Sequence, residues 1–273
     1  WRREIVGCRA TLSSLGGIPE AAIAGFRAPY LLPNDGSFRI LHERGFLYES
    51  SFPEDLSAMS AHPGAMIWPY TLDEGLAQNA PDIRKPAPPY YPGLIDLPMY
   101  YHFSNDLSLV TVMDPPETFT NTAVLALWKT NFLWHYEGNR APLTIALHTT
   151  TTNQWMSRTG QAEWRIAAVN EFIAWALAFP HVYFITYRDL AAFMRDPVDV
   201  AAAPTAAVFQ MTRIAPATNI SSCTYPGYGN TRVIGPCPAA WPSTSNLFWQ
   251  RAPTGGGAAA FNVISQDATH TYA

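Results

Sequence analysis

Charge is scarce in this chain. Asp, Glu, Lys and Arg make up 14% of its 273 residues, the formal net charge is −4, and no run of lysine or arginine occurs. That argues against a nucleic-acid partner, which needs a basic patch to meet the phosphates. No apolar run approaches the roughly twenty residues of a membrane-spanning helix, so no membrane span is expected. The seven histidines are His42, His62, His102, His135, His148, His181 and His270, and no two lie three to five residues apart. A local histidine clamp for zinc is therefore missing. Also missing are a Gly-rich phosphate loop and a Gly-x-Ser-x-Gly elbow, which removes phosphate-loop nucleotide chemistry and the serine hydrolase of the α/β type. An initiator methionine and a signal peptide are absent as well. The opening Trp1-Arg2-Arg3-Glu4 reads as the middle of a helix, and a cut end is expected there.

Cysteine is sparse too, with three in all. Cys223 and Cys237 flank a loop rich in Gly, Pro and Tyr, so a disulfide between them is plausible and would imply an oxidising compartment. Cys8 is then the odd one, either a free buried thiol or one whose partner lies in lost sequence. Asn219-Ile220-Ser221 is a glycosylation sequon, a triplet that is common by chance. Aromatic rings are plentiful, at 13% of residues with nine tryptophans and thirteen tyrosines. Flat rings stack on sugar faces and equally fill cores.

The pattern along the chain is an αβαβ rhythm with short joints, which predicts an α/β fold with a parallel sheet or barrel. A helix is expected over residues 1–16, a strand from Ile23 running into a rigid turn at Pro29, a helix from Asp35 to Arg44 capped by Gly45, and a strand at Phe46-Leu47-Tyr48. Residues 51–92, rich in Pro and small residues around Ile67-Trp68-Pro69-Tyr70, read as a long excursion over the barrel mouth. Further strands are expected at 93–99, 143–148 and 182–186, and helices at 120–137, 160–178 and 190–194. Residues 1–199 read as one domain. Residues 200–273, dominated by Ala, Pro, Thr, Ser and Gly, read as an irregular linker or stalk carrying the Cys223–Cys237 loop.

Two strand ends carry reactive-looking residues, where α/β folds collect their chemistry. Arg27 can hold a carboxylate through two parallel hydrogen bonds, or serve only as a cap or surface partner. Pro29 fixes the turn and would aim the backbone N–H of Tyr30 into the mouth as an oxyanion donor. His148 ends an apolar segment and could act as general acid, or be a satisfied core histidine. Asp96, an acid inside an apolar strand, is the best candidate to hold its tautomer, with Asp73 second and read as a solvated loop acid. Trp68 is a groove wall or a plug. The Thr149–Thr152 run could meet sugar hydroxyls or be a polar loop.

Taken together, Phe26-Arg27-Ala28-Pro29-Tyr30, Phe46-Leu47-Tyr48-Glu49-Ser50-Ser51, Trp68 to Asp73, Leu147-His148 and Val182 to Thr186 resemble the polysaccharide deacetylase family, and within it the chitin deacetylase-like branch. Glu49 stands where the family strand usually has Asp. The resemblance covers about residues 1–198 and implies a distorted (β/α) barrel, here incomplete for want of its first strands. It implies removal of acetyl groups from N-acetylglucosamine polymers such as chitin by a water that zinc or a similar divalent metal activates. In it Arg27 holds the catalytic aspartate, Tyr30 donates its N–H to the oxyanion, Leu147 forms the pocket for the acetyl methyl, and His148 protonates the departing amine. The family's base aspartate and metal ligands should precede position 1, so the chain is expected to be an inactive fragment that binds no zinc in the family manner. Its parent is expected to be secreted or cell-wall associated. A non-catalytic, extracellular chitin-binding pseudoenzyme is the alternative.

Overall fold

The computed structural model describes residues 1–14, 17–54, 64–78, 90–148, 155 and 162–210, together with five strands between 221 and 272. The chain divides into two units, Trp1–Ala146 with Phe172–Met211, and Leu147–Glu171 with Thr212–Ala273.

In the first unit the αβαβ rhythm is present. Helix α1 (Arg2–Ser14) buries Ile5. Strand β1 (Gly25–Phe26) follows, then helix α2 (Asp35–Glu43), which turns Phe38, Ile40 and Leu41 into the core. Asn34 starts α2 with a reciprocal capping box. Its side chain accepts from the Ser37 N–H at 3.2 Å, and the Ser37 hydroxyl accepts from the Asn34 N–H at 3.0 Å. Gly45 follows the C-cap at φ +66°, the left-handed position that glycine fills without strain.

Strand β2 (Tyr48–Glu49), strand β3 (Tyr70–Leu72) and strand β4 (Tyr91–Asp96) complete a sheet of order β1-β2-β4-β3. The first three strands are parallel, while β3 runs antiparallel along β4. β1 is shorter than expected because Ala28 sends its N–H to the Ser51 hydroxyl at 2.8 Å, and Pro29 has none to offer. β3 lies inside the Pro-rich stretch read as an excursion. Among the described strands this is a four-stranded sheet in a mixed α/β fold, not a closed barrel. Helices cover both faces. The α1–α2 side packs Phe38, Leu41, Leu72 and Leu94 together, and the other side packs Ile95 and Leu97 against Leu190 and Ala191.

A hairpin of β5 (His102–Phe103) and β6 (Leu109–Thr111), also not foreseen, turns on Asp106, whose carboxylate accepts from the Ser104 hydroxyl at 2.5 Å and the Ser108 N–H at 3.1 Å. Helix α3 (Asn121–Glu137) buries Trp128 and Phe132, and the rings of Phe172, Trp175 and Phe179 gather around Phe132. Phe172 and Trp175 belong to helix α4 (Ala162–Ala176) and are followed by helix α5 (Tyr187–Arg195).

Two expected strands do not form. Residues 143–148 lie outside any ladder, because Thr144 is tied by its hydroxyl to the Tyr100 N–H at 3.1 Å and by its carbonyl to His102 at 3.1 Å. Residues 182–186 are also unpaired, and Thr186 caps α5 instead. The tail differs from the irregular stalk expected. Its described strands, β7 (Ser221–Thr224), β8 (Thr231–Ile234), β9 (Leu247–Arg251), β10 (Phe261–Gln266) and β11 (Thr271–Tyr272), pair antiparallel. Cys8 is an exposed free thiol, not a buried one. The Cys223–Cys237 pairing, Asn219 and the Thr149–Thr152 run fall outside the described residues.

Candidate functional site

The register places Phe26, Glu49, Asp96 and Tyr70 in one row across β1, β2, β4 and β3. Side chains alternate along a strand, so the residues just past this row, Arg27 and Ser50, point to the other face. There Arg27 is firmly seated. Its Nε donates to the Ser50 carbonyl at 2.7 Å, and its Nη2 donates to the Ser50 hydroxyl at 2.9 Å and to the Tyr187 hydroxyl at 3.1 Å. The guanidinium also lies 5.4 Å from the Tyr187 ring centroid, and Tyr48 stacks on the same ring. Gly25 is required beneath this stack, since a Cβ there would stand 1.9 Å from the Tyr48 ring. Nη1 takes part in none of these bonds, so one edge of the fork is left to meet a carboxylate.

The chain then turns sharply. Pro29–Leu31 forms a single 3₁₀ turn, closed by the Leu31 N–H on the Ala28 carbonyl and the Leu32 N–H on the Pro29 carbonyl. Neither bond uses the Tyr30 N–H. Tyr30 and Leu31 both have φ of 56°, a strained conformation for side-chain-bearing residues. The Tyr30 ring is 93% exposed. A guanidinium seated at a strand end and a strained turn directly after it are the features expected of a positioned reactive site.

Behind the sheet, on the α1–α2 side, Glu49 and Asp96 are both fully buried. Glu49 Oε2 accepts from the Ser51 N–H at 3.0 Å. Asp96 Oδ2 accepts from the Gln78 amide at 2.5 Å, and Gln78 in turn accepts from the Tyr70 hydroxyl. Burial, and then the facing Asp96 carboxyl, push the Glu49 carboxyl well above its ordinary range, and burial raises Asp96 as well. Asp96 is thus a member of a buried network with Glu49, Gln78 and Tyr70. Sequence reading named Asp96 but missed Glu49, Ser50, Gln78 and Tyr187. The signal for Glu49 was present: a buried strand acid needs a partner, and the neighbouring strand carries one at the matching position.

Trp68 stands before β3, 37% exposed, and its indole donates to the Asn139 carbonyl at 3.0 Å. Asp73 is exposed and accepts from the Gly93 N–H at 2.7 Å. Leu147 and His148 are half-buried and open the second unit, whereas Arg27, Pro29, Tyr30, Trp68 and Asp96 belong to the first. Two other histidines are buried. His102 meets the Thr144 carbonyl at 3.1 Å and His135 the Ala141 carbonyl at 2.8 Å, and burial lowers each imidazole to about 4. Among the described residues no group of three His, Cys, Asp or Glu could hold a metal ion, so the side chains at hand do not fit a zinc centre.

No family model matches the chain. It is similar to Chitin deacetylase 8 of Bombyx mori, 26% identical over 204 residues that take in 72% of this chain and 50% of that protein. It is also similar to Chitin deacetylase 1 of Bombyx mori, 25% identical over 207 residues, 72% of this chain and 36% of that protein. The chain therefore spans half the length of the first relative and about a third of the second. Among solved structures it is similar to a Mycobacterium smegmatis protein assigned as a polysaccharide deacetylase, at 22% identity over 68% of this chain and 53% of that one, with a TM-score of 0.39. The two silkworm relatives support a likeness of this chain to the chitin deacetylase branch of the polysaccharide deacetylases.

Proposed function

We propose that this chain carries part of a hydrolase that removes acetyl groups from N-acetylglucosamine polymers in a secreted or cell-wall setting. The observation that carries the reading is the seat of Arg27 on Ser50 and Tyr187, directly before the strained Pro29–Leu31 turn. In this reading the free edge of the guanidinium holds the carboxylate that acts as base. The Tyr30 N–H, left out of the turn's own bonds, faces the developing oxyanion. Pro29 keeps the turn rigid and Trp68 lines the sugar groove, while the family resemblance gives Leu147 the acetyl methyl and His148 the proton for the departing amine. Asp96 steadies the site from behind the sheet.

The test is acetate release from chitin oligosaccharides with zinc supplied, for this chain alone and for any longer protein that contains it. Release by the longer protein, none by the chain alone, and a fall of about 100-fold on Arg27→Gln are expected. Sugar binding without acetate from either protein would replace this reading with a non-catalytic, chitin-binding one.

A further inference from the structure

Glu49 and Asp96 present a problem of unmatched acceptors. They are paired positions on neighbouring parallel strands, both with no exposed surface, and their side chains are in hydrogen-bonding contact. One oxygen of each is satisfied, Glu49 Oε2 by Ser51 and Asp96 Oδ2 by Gln78. The remaining oxygens, Glu49 Oε1 and Asp96 Oδ1, meet no N–H or O–H donor. Two buried carboxylates cannot face each other with bare oxygens, because like charges in a dry site repel strongly. A single proton between them turns the clash into a charge-assisted hydrogen bond.

Among the described residues no cation bonds either carboxyl in its place. Among the described residues the titratable groups that act with the pair are Tyr70 from β3 and Tyr100 beyond β4, and Glu54 acts on Tyr100. Several charges of the helices on this side are engaged elsewhere. Arg2 bonds Glu43, Arg9 bonds the Glu20 and Arg44 carbonyls, His42 tilts on the Tyr91 ring, and Asp35, Arg39 and Glu43 act on Tyr91. Arg27 is engaged on the opposite face.

The pair is also linked to the Arg27 seat by a short chain of bonds. Glu49 holds the Ser51 N–H, the Ser51 hydroxyl holds the Ala28 N–H, and Ser50, between them, holds the guanidinium. We infer that Glu49 and Asp96 carry one proton between them, and that this shared proton pins the Ser50–Ser51 segment on which Arg27 and Ala28 are seated. Glu49 and Asp96 are thereby positioning residues, and the seat has an upper pH limit.

This inference does not depend on the deacetylase reading, because it is tested without substrate. At neutral pH the unfolded chain ionises both carboxyls and the folded chain keeps one proton, so the folding constant falls about tenfold per pH unit as pH rises. Urea unfolding of the intact chain between pH 6 and 9 reads this slope. Glu49→Gln replaces the shared proton with a permanent amide donor, and its slope should be shallower than wild type by about tenfold per unit. Asp96→Asn makes the same prediction from the other strand. Equal slopes in wild type and variants would overturn the inference. Should neither variant fold, refolding of the wild type in unbuffered solution at about pH 8 should take up about one proton, and no uptake would overturn it. For the seat, exchange of the Arg27 Nε–H by nuclear magnetic resonance should rise on the order of tenfold in Glu49→Ala and stay unchanged in Glu49→Gln. Equal exchange in both variants would sink that half.

Discussion

Arg27 shows how much a single side chain can depend on its fork. Three hydrogen bonds reach two partners on different elements, and a lysine could keep one of them. Arg27→Lys should therefore destabilise the fold by about 1–2 kcal/mol, measured by urea unfolding, while leaving the helix content unchanged. His102 and His135 make a prediction of the opposite kind. Unfolded, each takes up a proton near 6.5, but folded, not until about 4. The unfolded chain thus binds more protons between those values. The stability these two groups contribute is fully present above about 6.5, falls as pH drops, and levels off below about 4. Unfolding midpoints taken at several pH values should show that fall, and His135→Asn should blunt it. Neither histidine could be singled out in the sequence, since burial is decided by residues far away, and the readable histidine was the one next to Leu147.

At the scale of elements, the helices were legible and the sheet edges were not. Gly45 marks the end of α2 by local chemistry alone, while the Asn34 capping box emerged from the structure, and Asn34→Ala should cost about 1 kcal/mol of stability with little effect elsewhere. β3 was hidden because its three residues lie among prolines and small residues, and only the neighbouring β4 makes them a strand. The loop before it is held by Asn139, which bonds the Gly64 carbonyl, the Met66 carbonyl and the Trp68 indole at 2.7, 2.6 and 3.0 Å. Asn139→Ala removes the side-chain bond to Met66. It should lower the midpoint modestly, by about 1 kcal/mol, and shift Trp68 fluorescence toward that of a more exposed indole. Residues 143–148 failed as a strand for the converse reason: their apolar pattern suits a ladder, but Tyr100 and His102 take Thr144 for themselves.

For the whole molecule the two buried titrating groups act at opposite ends of the pH scale. The histidines lower stability on the acid side, and the Glu49–Asp96 pair lowers it on the alkaline side, so maximal stability is expected near neutrality. Midpoints that rise steadily from pH 6 to 9 would contradict this. The sequence by itself determined the helices, the glycine that ends α2, the first parallel strands and the deacetylase-like motifs, because all of these rest on spacing within a few residues. Tertiary structure alone decided that Glu49 and Asp96 share one row of the sheet, that Ser50 and Tyr187 seat Arg27 across 160 residues of chain, and that His102 and His135 are buried neutral. Those outcomes depend on which strands become neighbours and what they exclude from water, and no local pattern encodes either.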